Sequence, residues 1–240
     1  MRELKTIIIK NFKSSTGKRN ERIPLTYQIF GRELSYAPIV LVNHALTGNS
    51  NVTGENGWWN NIIGCNKVID TKKYTILVFN IPGNGFDGLL FEDYKRFEAK
   101  DIAQLFLLAI EQLKIKSLFA IIGGSLGGGI AWEMCALKPN ITEHLIPVAS
   151  DWKATDWLIA NCQIQEQILN NSKNPVNDAR MHAMLFYRTP ESINQRFKRS
   201  INENLGIFNI ESWLLHHGKK LQQRFQLSAY KLMNHLLKTI

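Results

Sequence analysis

One serine stands between pairs of glycines in the stretch IIGGSLGGGIAWEM, residues 121–134. Residues 123–127 fit the pattern G-x-S-x-G, in which a buried strand turns sharply into a helix and leaves the serine at the apex. Glycine is needed on both sides because a Cβ atom there would crowd the strained backbone. A serine hydroxyl attacks carbonyl carbons once a base removes its proton and hydrogen-bond donors stabilise the oxyanion. Ser125 is therefore predicted to be a nucleophile.

The residues on either side of this serine favour a strand followed by a helix. The segment SLFAII, residues 117–122, is a short apolar run typical of a buried strand, and Ile130, Met134 and Leu137 recur at helical spacing after the serine. A G-x-S-x-G pattern alone also arises by chance in glycine-rich turns. The order strand, turn, helix is the context that a catalytic serine requires, and it favours a nucleophile over a simple turn.

Two backbone N–H groups are candidates for the donors that stabilise the oxyanion. One belongs to Leu126, the residue after the nucleophile. The second is expected from the loop after the third strand, where NHALTGNS, residues 43–50, offers small residues and a glycine, and we assign it to Leu46. His44 of the same loop is interpreted as a structural histidine, because the base is expected last in the order serine, acid, histidine.

Six apolar segments predict the strands that position the serine. They are TIIIKNF (6–12), LTYQIFG (25–31), PIVLVNH (38–44), YTILVFN (74–80), SLFAII (117–122) and HLIPVAS (144–150). Between the fourth and fifth, FEAKDIAQLFLLAIEQLKI repeats apolar residues at helical spacing. Apolar strands alternating with helices favour a parallel sheet covered on both faces, and an opening antiparallel pair is the order found in α/β-hydrolases. The predicted fold class is therefore α/β, with a mostly parallel sheet.

The second part of the chain has a different character. Every apolar pattern after Ser150 is helical, and no further strand is predicted there. The chain is thus predicted to contain an α/β-hydrolase core in residues 1–150 and a helical cap, or lid, in residues 151–240.

The composition is typical of a globular chain with one sizeable core, since 45% of its 240 residues are hydrophobic and 20% are charged. No apolar stretch is long enough to span a bilayer, and the first residues lack the pattern of a secretory signal, so a cytoplasmic protein without membrane association is expected. Cys65, Cys135 and Cys162 are widely spaced. They indicate reduced thiols, with neither a disulfide framework nor a zinc site.

The net charge of +9 indicates either a polyanionic partner, such as a nucleic acid or coenzyme A, or simply a solvated basic surface. Seven basic residues fall within the first 22 positions, but no aromatic interleaving or nucleic-acid motif accompanies them. A nucleic-acid partner is therefore not expected.

Six blocks of the sequence resemble the homoserine O-acetyltransferase family, in the same order from about residue 38 to the C-terminus. They are NHALTGNS, GWWNNIIGCNKVIDTKKY, IIGGSLGG, ARMHAMLFYR, NQRF and FNIESWLLHHGKKLQQRF. The resemblance implies an α/β-hydrolase fold whose helical lid also forms a homodimer. It implies transfer of an acetyl group to the hydroxyl of L-homoserine through an acyl-serine, a step of methionine biosynthesis. Acetyl-CoA is then a co-substrate, and no cofactor is bound permanently.

The resemblance assigns roles to three residues. Ser125 is the nucleophile, and Arg180 with Tyr187 matches the pair that contacts the amino-acid substrate. The spacing agrees, because residues seven apart lie on one face of a helix, and a guanidinium can hold a carboxylate through two hydrogen bonds. Without the resemblance, Arg180 would be interpreted as a solvated helix residue.

The chain departs from the family in two places. Residues 80–98, NIPGNGFDGLLFEDYKRFE, are shorter than and unlike the Gly/Ser/Thr/Pro-rich stretch that usually follows the fourth strand. The family's catalytic aspartate and histidine follow two further core strands after the lid, whereas these 240 residues end inside or just beyond it. We therefore expect an open parallel edge at the sixth strand or its neighbour. The chain is expected to be poorly soluble or oligomeric, and slow or inactive as a transferase.

Replacements for the missing acid and base are few within the chain. Asp151 at the end of the sixth strand is a candidate acid, and four histidines follow it in the right order: His182, His216, His217 and His235. All four lie on predicted lid helices, where capping or surface roles are favoured, and the adjacent His216 and His217 form no metal pair. Two other functions stay open, an ester or thioester hydrolase and a non-catalytic binding module that retains the turn.

Overall fold

The computed structural model describes residues 3–34 and 36–240 and contains one six-stranded sheet. The strands are β1 (Lys5–Lys13), β2 (Arg19–Gly31), β3 (Ile39–Asn43), β4 (Ile63–Gly64), β5 (Ile69–Asp70), β6 (Thr75–Phe79), β7 (Leu118–Gly124), β8 (Thr142–Val148), β9 (Ile201–Asn202) and β10 (Ile207–Phe208). The helices are α1 (Ala99–Gln112), α2 (Leu126–Leu137), α3 (Asp156–Asn171), α4 (Pro175–Met184), α5 (Pro190–Phe197), α6 (Asn209–Gln222) and α7 (Leu227–Lys238). All six predicted strands are present, although β2 begins earlier than predicted.

The sheet has the strand order β1-β2-β6-β3-β7-β8. Strands β1 and β2 pair antiparallel, β2 pairs antiparallel with β6, and the remaining neighbours run parallel. Helices α1 and α2 connect β6 to β7 and β7 to β8, as parallel neighbours require crossover connections. The predicted α/β class, with an opening antiparallel pair, is confirmed.

Both faces of the central strands are buried. Leu41 and Leu77 belong to a large apolar cluster with residues of α1, α2 and α7, whereas Val42 and Val78 belong to a smaller cluster with residues of the segment 52–74. Successive side chains of a strand point to opposite faces. An uninterrupted apolar run therefore supplies both clusters, which is why these strands lack a polar face.

Helix α7 joins the lid segment to the core of the sheet. It contributes Leu232, Met233 and Leu236 to the same large cluster as the strands. A Cβ atom on Gly83 would lie 2.6 Å from the side chain of Leu232, so the loop after β6 packs closely against α7. One apolar cluster therefore contains residues from both sides of residue 150. The division into domains at residues 1–150 and 151–240 remains a prediction.

The prediction that no strand follows residue 150 is wrong for one short hairpin. Strands β9 and β10 pair antiparallel, with Asn202 opposite Ile207. Their turn is closed by the N–H groups of Leu205 and Gly206, which donate to the carbonyl of Asn202. Strands of two residues are too short to show the alternation on which strand prediction depends.

Strand β8 forms an edge of the sheet and pairs with β7 alone among the described residues. Ile146 and Val148 are 44% and 41% exposed. Ile146 stands opposite Ile122 of the smaller cluster, so the exposed side chains continue that apolar face. An unpaired strand edge with apolar neighbours is a template for another strand.

Candidate active site

Ser125 lies in the turn that joins β7 to α2, with φ 51° and ψ −121°. Residues other than glycine rarely adopt a positive φ, and such strain often accompanies function. A Cβ atom on Gly123 would lie 2.1 Å from the carbonyl oxygen of Gly127, and one on Gly127 would lie 2.2 Å from that of Asn43. Sterics therefore require glycine at both positions of the predicted turn.

Backbone hydrogen bonds hold Ser125 in this conformation. Its N–H donates to the carbonyl of Val148 at the end of β8, at 2.9 Å. Its own carbonyl accepts from the N–H of Gly128 at 2.8 Å. A strained residue persists where its surroundings determine its conformation, and here the end of β8 and the first turn of α2 do so.

The predicted oxyanion donors lie where α2 begins against the loop after β3. Leu126 is the first residue of α2, and its N–H is among those that a helix leaves without an intrahelical acceptor. Gly127 approaches the backbone of Asn43 and His44 closely, which brings residues 43–50 to the nucleophile. Among the described residues, the N–H of Leu46 has no hydrogen-bond partner. The arrangement is compatible with both donors, whose roles remain predictions.

His44 connects two loops beside this site. Its Nδ1 forms a hydrogen bond with the carbonyl of Ala45 at 2.8 Å, and its Nε2 accepts from the N–H of Ile81 at 3.0 Å. Burial lowers the pKa of this fully enclosed imidazole to about 4, so the ring is neutral at pH 7. Both ring nitrogens are occupied, in agreement with a structural histidine.

The structure brings Arg180 and Tyr187 together on the lid. The Nη1 atom of Arg180 donates to the Tyr187 hydroxyl at 3.2 Å, and the guanidinium carbon lies 5.3 Å from the centre of the ring. Helix α4 ends at Met184, however, so Tyr187 lies beyond it. The expectation that one helix face carries both residues is wrong, because the chain leaves the helix between them and returns Tyr187 to Arg180.

A second arginine, Arg224, reaches the loop beside the nucleophile. It follows α6, and its Nη1 donates to the carbonyl of Thr47 at 3.1 Å. Thr47 is the neighbour of Leu46, so this bond connects the lid with the predicted oxyanion loop. Sequence reasoning does not single out Arg224, because no local pattern relates two residues separated by 177 positions. The one signal in the sequence that could have pointed to Arg224 is its position in the block FNIESWLLHHGKKLQQRF, one of the blocks that carry the family resemblance.

Comparison with known proteins identifies the family of this chain. A family model described as alpha/beta hydrolase fold matches residues 38–172. The homoserine O-acetyltransferase of Chloroherpeton thalassium is 33% identical over 217 residues, which cover 80% of this chain and 56% of that protein. The homoserine O-acetyltransferase of Symbiobacterium thermophilum is 30% identical over 258 residues, which cover 90% of this chain and 67% of that protein. The chain belongs to the homoserine O-acetyltransferase family.

Solved structures agree with this family. A homoserine O-acetyltransferase from Staphylococcus aureus superimposes with a TM-score of 0.83 at 25% identity, covering 99% of this chain and 72% of that one. Esterase E22 superimposes with a TM-score of 0.84 at 18% identity, covering 100% and 78%, a similarity of fold alone. The chain spans 56% and 60% of the curated homoserine O-acetyltransferases of Chloroherpeton thalassium and Trichormus variabilis.

Within residues 3–34 and 36–240, no histidine forms a hydrogen bond with Ser125. Asp151 and Ser125 line one cavity of about 330 Å³, together with Lys153. The four histidines after Asp151 contact other side chains: His182 bonds to Gln165, His216 packs on His217, His217 packs on Trp213, and His235 packs on Tyr94. In the described part of the chain, the candidate acid and the serine thus border one cavity, and no histidine is hydrogen-bonded to the serine.

Residues 80–98 contact helix α3 through two side chains. This is the segment predicted to differ from the homoserine O-acetyltransferase pattern. The hydroxyl of Tyr94 donates to the Glu166 carboxylate at 2.8 Å, and Lys95 pairs with the same carboxylate at 2.9 Å. Burial raises the pKa of Glu166, but the hydrogen bonds from Lys95 and Tyr94 outweigh it and lower the pKa overall. The carboxylate stays charged at pH 7 and ties this loop to α3.

Two other classes of site can be assessed for the described residues. They contain no cluster of three or more His, Cys, Asp or Glu side chains with the geometry to hold a metal ion. None of their helices combines the length and the apolarity that crossing a membrane requires. All three cysteines are free thiols, and burial raises the pKa of Cys162 to about 11.

Proposed function

We propose that the protein is an O-acyltransferase that moves an acetyl group from acetyl-CoA to the hydroxyl of L-homoserine through an acyl-Ser125 intermediate. The observation that carries this proposal is the strained Ser125 turn, with φ 51°, packed against the loop of Leu46 in a chain of this family. A turn of this kind exposes a serine hydroxyl beside backbone donors, as acyl transfer requires. The substrates are small molecules, and the lid is proposed to form a homodimer in the cytoplasm.

The reaction divides into two half-reactions at one serine. The Ser125 oxygen attacks the thioester carbonyl as a base takes its proton, and the resulting oxyanion accepts hydrogen bonds from the N–H groups of Leu46 and Leu126. No histidine of the described residues is hydrogen-bonded to Ser125, so this base is not assigned to a residue. Collapse releases coenzyme A as the thiol and leaves acetyl-Ser125. The homoserine hydroxyl then loses its proton and attacks this ester, which returns Ser125 and yields O-acetylhomoserine. Arg180 holds the carboxylate of homoserine during the second half-reaction.

Intact-protein mass spectrometry tests the first half-reaction. The protein is mixed with acetyl-CoA or with the more reactive donor p-nitrophenyl acetate. We expect a slow increase of one acetyl group, located on Ser125 by peptide mapping, because no histidine of the described residues is hydrogen-bonded to the serine. The variant Ser125→Ala is the control for acetylation of other nucleophiles. Absence of an acetyl group on Ser125 with both donors would contradict the proposal.

The variant Arg180→Ala should separate the two half-reactions. Arg180 is proposed to contact the acceptor and not the acyl donor, so we expect acetylation of Ser125 to change less than about twofold. Transfer to homoserine should fall at least about tenfold, the cost of one charged hydrogen bond. The matched control is Arg188→Ala, which removes an exposed arginine on the same segment. Equal losses in both half-reactions would indicate a structural arginine and contradict its assignment to the acceptor.

A further inference from the structure

Asn80, the residue after β6, has a buried side-chain amide whose hydrogen-bonding positions are all used. Its Oδ1 atom accepts from the N–H of Ser50 at 2.7 Å and from the Nδ2 atom of Asn84 at 3.3 Å. Its Nδ2 atom donates to the hydroxyl oxygens of Thr26 and Ser50, each at 3.0 Å. An amide offers two hydrogens and two lone pairs on its oxygen, so the four bonds complete its capacity.

The neighbours of Asn80 select an amide over a carboxylate of the same size. The hydroxyl of Thr26 donates to the carboxylate of Asp87 at 2.7 Å, and the hydroxyl of Ser50 donates to the Oε1 atom of Gln28 at 2.7 Å. A hydroxyl has one hydrogen, so each of these two oxygens can only accept from residue 80. A carboxylate there would face two oxygens with no hydrogen between them. The position therefore requires a group that donates twice.

Both ends of the predicted oxyanion loop, residues 43–50, are bound to the segment that follows β6. The last residue of the loop bonds to Asn80 through its N–H and its hydroxyl. Near the start of the loop, the Nε2 atom of His44 accepts from the N–H of Ile81 at 3.0 Å, and the Nδ2 atom of Asn84 lies 3.3 Å from the same nitrogen. Displacement of Asn80 would therefore release one end of the loop and loosen the other.

We infer that Asn80 is a positioning residue that holds the oxyanion loop at both ends and keeps the N–H of Leu46 in place beside the nucleophile. This inference rests on the proposed function, in which that N–H stabilises the oxyanion formed at Ser125. A preorganised donor stabilises the transition state because it need not reorient while the charge develops. Asn80 therefore affects the rate of acylation and not the affinity for the acyl donor.

The variant Asn80→Asp tests the position of the loop without turnover. It keeps the size of the side chain and the acceptor for the N–H of Ser50, but it removes both donors. Solution NMR on the isotopically labelled protein should show shifted amide signals for Leu46 and Gly48. The N–H of Gly48 donates to the carbonyl of Ala45 at 2.8 Å, and its hydrogen exchange should become at least about tenfold faster as the loop opens more often.

Asn234 supplies the matched control on α7. It is also buried, with 4% exposure, and its Nδ2 atom donates to the carbonyl of Cys162 at 2.9 Å. Asn234→Asp thus removes a buried amide donor in another part of the fold and should leave the loop signals as in wild type. Ser50→Ala is a milder second variant, which removes one acceptor of Asn80 and should shift the same signals less. Circular dichroism confirms that each variant is folded.

Acylation of Ser125 by p-nitrophenyl acetate separates positioning from folding. Single-turnover release of p-nitrophenolate is measured against donor concentration, with Ser125→Ala as the background. In Asn80→Asp the maximal rate should fall at least about tenfold, whereas the half-saturating donor concentration should change less than about twofold. A mere loss of folded protein would lower the amplitude of release and leave the rate unchanged. Asn234→Asp should keep both kinetic values.

The inference is wrong if folded Asn80→Asp keeps the loop signals of wild type, or if Asn234→Asp changes them equally. It is also wrong if the maximal rate of acylation is unchanged in a variant whose loop has moved. Failure of wild type to form acetyl-Ser125 would instead contradict the proposed function. The loop signals of Asn80→Asp would in that case still decide whether Asn80 holds the loop.

Discussion

Gly127 is the position at which one added methyl group should disrupt the nucleophile turn. In Gly127→Ala the Cβ atom would lie 2.2 Å from the carbonyl oxygen of Asn43, so the backbone must shift. We expect a loss of about 3 kcal/mol in the free energy of unfolding, measured by urea denaturation. Gly124→Ala is the matched control, because its Cβ meets nothing within 4 Å, and it should change stability by less than about 1 kcal/mol. Equal effects of the two substitutions would contradict the steric argument.

His44 should make the protein less stable in mild acid. Its folded pKa of about 4 lies below the ordinary value of 6.5, so the unfolded chain binds a proton that the native state excludes. Stability is therefore full above pH 6.5 and falls as the pH drops towards 4, by about 3 kcal/mol for this residue. Urea denaturation of wild type and His44→Gln across this range measures the difference. The variant should lose less stability on acidification, and an unchanged slope would contradict the assignment.

At the scale of elements, β8 should govern self-association. Its outer edge is unpaired among the described residues, and Ile146 and Val148 are 44% and 41% exposed. Ile146→Lys places a charge beside this edge, a device by which natural sheets resist edge-to-edge pairing. We expect wild type to associate with increasing concentration and the variant to do so less, as measured by sedimentation velocity. Val68→Lys adds the same charge at another exposed apolar residue and should leave association unchanged. A monomeric wild type would refute the prediction.

The elements differ in how far sequence alone could predict them. The strands around Leu41 and Leu77 were predictable because an uninterrupted apolar run between turns has few alternatives. The nucleophile turn was predictable because sterics confine its glycines to two positions. The hairpin of β9 and β10 could not be predicted, because it is stabilised by a turn at Asn202 and its two-residue strands show no alternation of apolar and polar residues. The contact of Arg224 with Thr47 depends on how two distant segments pack, which no local pattern records.

For the whole molecule, the packing of α7 predicts unfolding as one unit. Leu232 is fully buried in the cluster shared by the sheet and the lid segment. Leu232→Ala should cost about 3 kcal/mol and reduce the hydrogen-exchange protection of β3 and β6 as much as that of α7. Leu215→Ala removes a leucine that is 47% exposed and should have little effect. Loss of protection confined to residues 151–240 would instead support a separately folding lid.

The hydrogen bond from Ser125 to Val148 makes the nucleophile depend on an edge strand of the sheet. Strand β8 has one neighbour, β7, so brief fraying of its end frees the Ser125 N–H without unfolding the molecule. During each such opening the amide proton exchanges with deuterium, and the positive φ of the serine can relax. A strand that covered the edge would slow this exchange. The rate at which the Ser125 amide takes up deuterium therefore reports whether another strand covers the outer edge of β8.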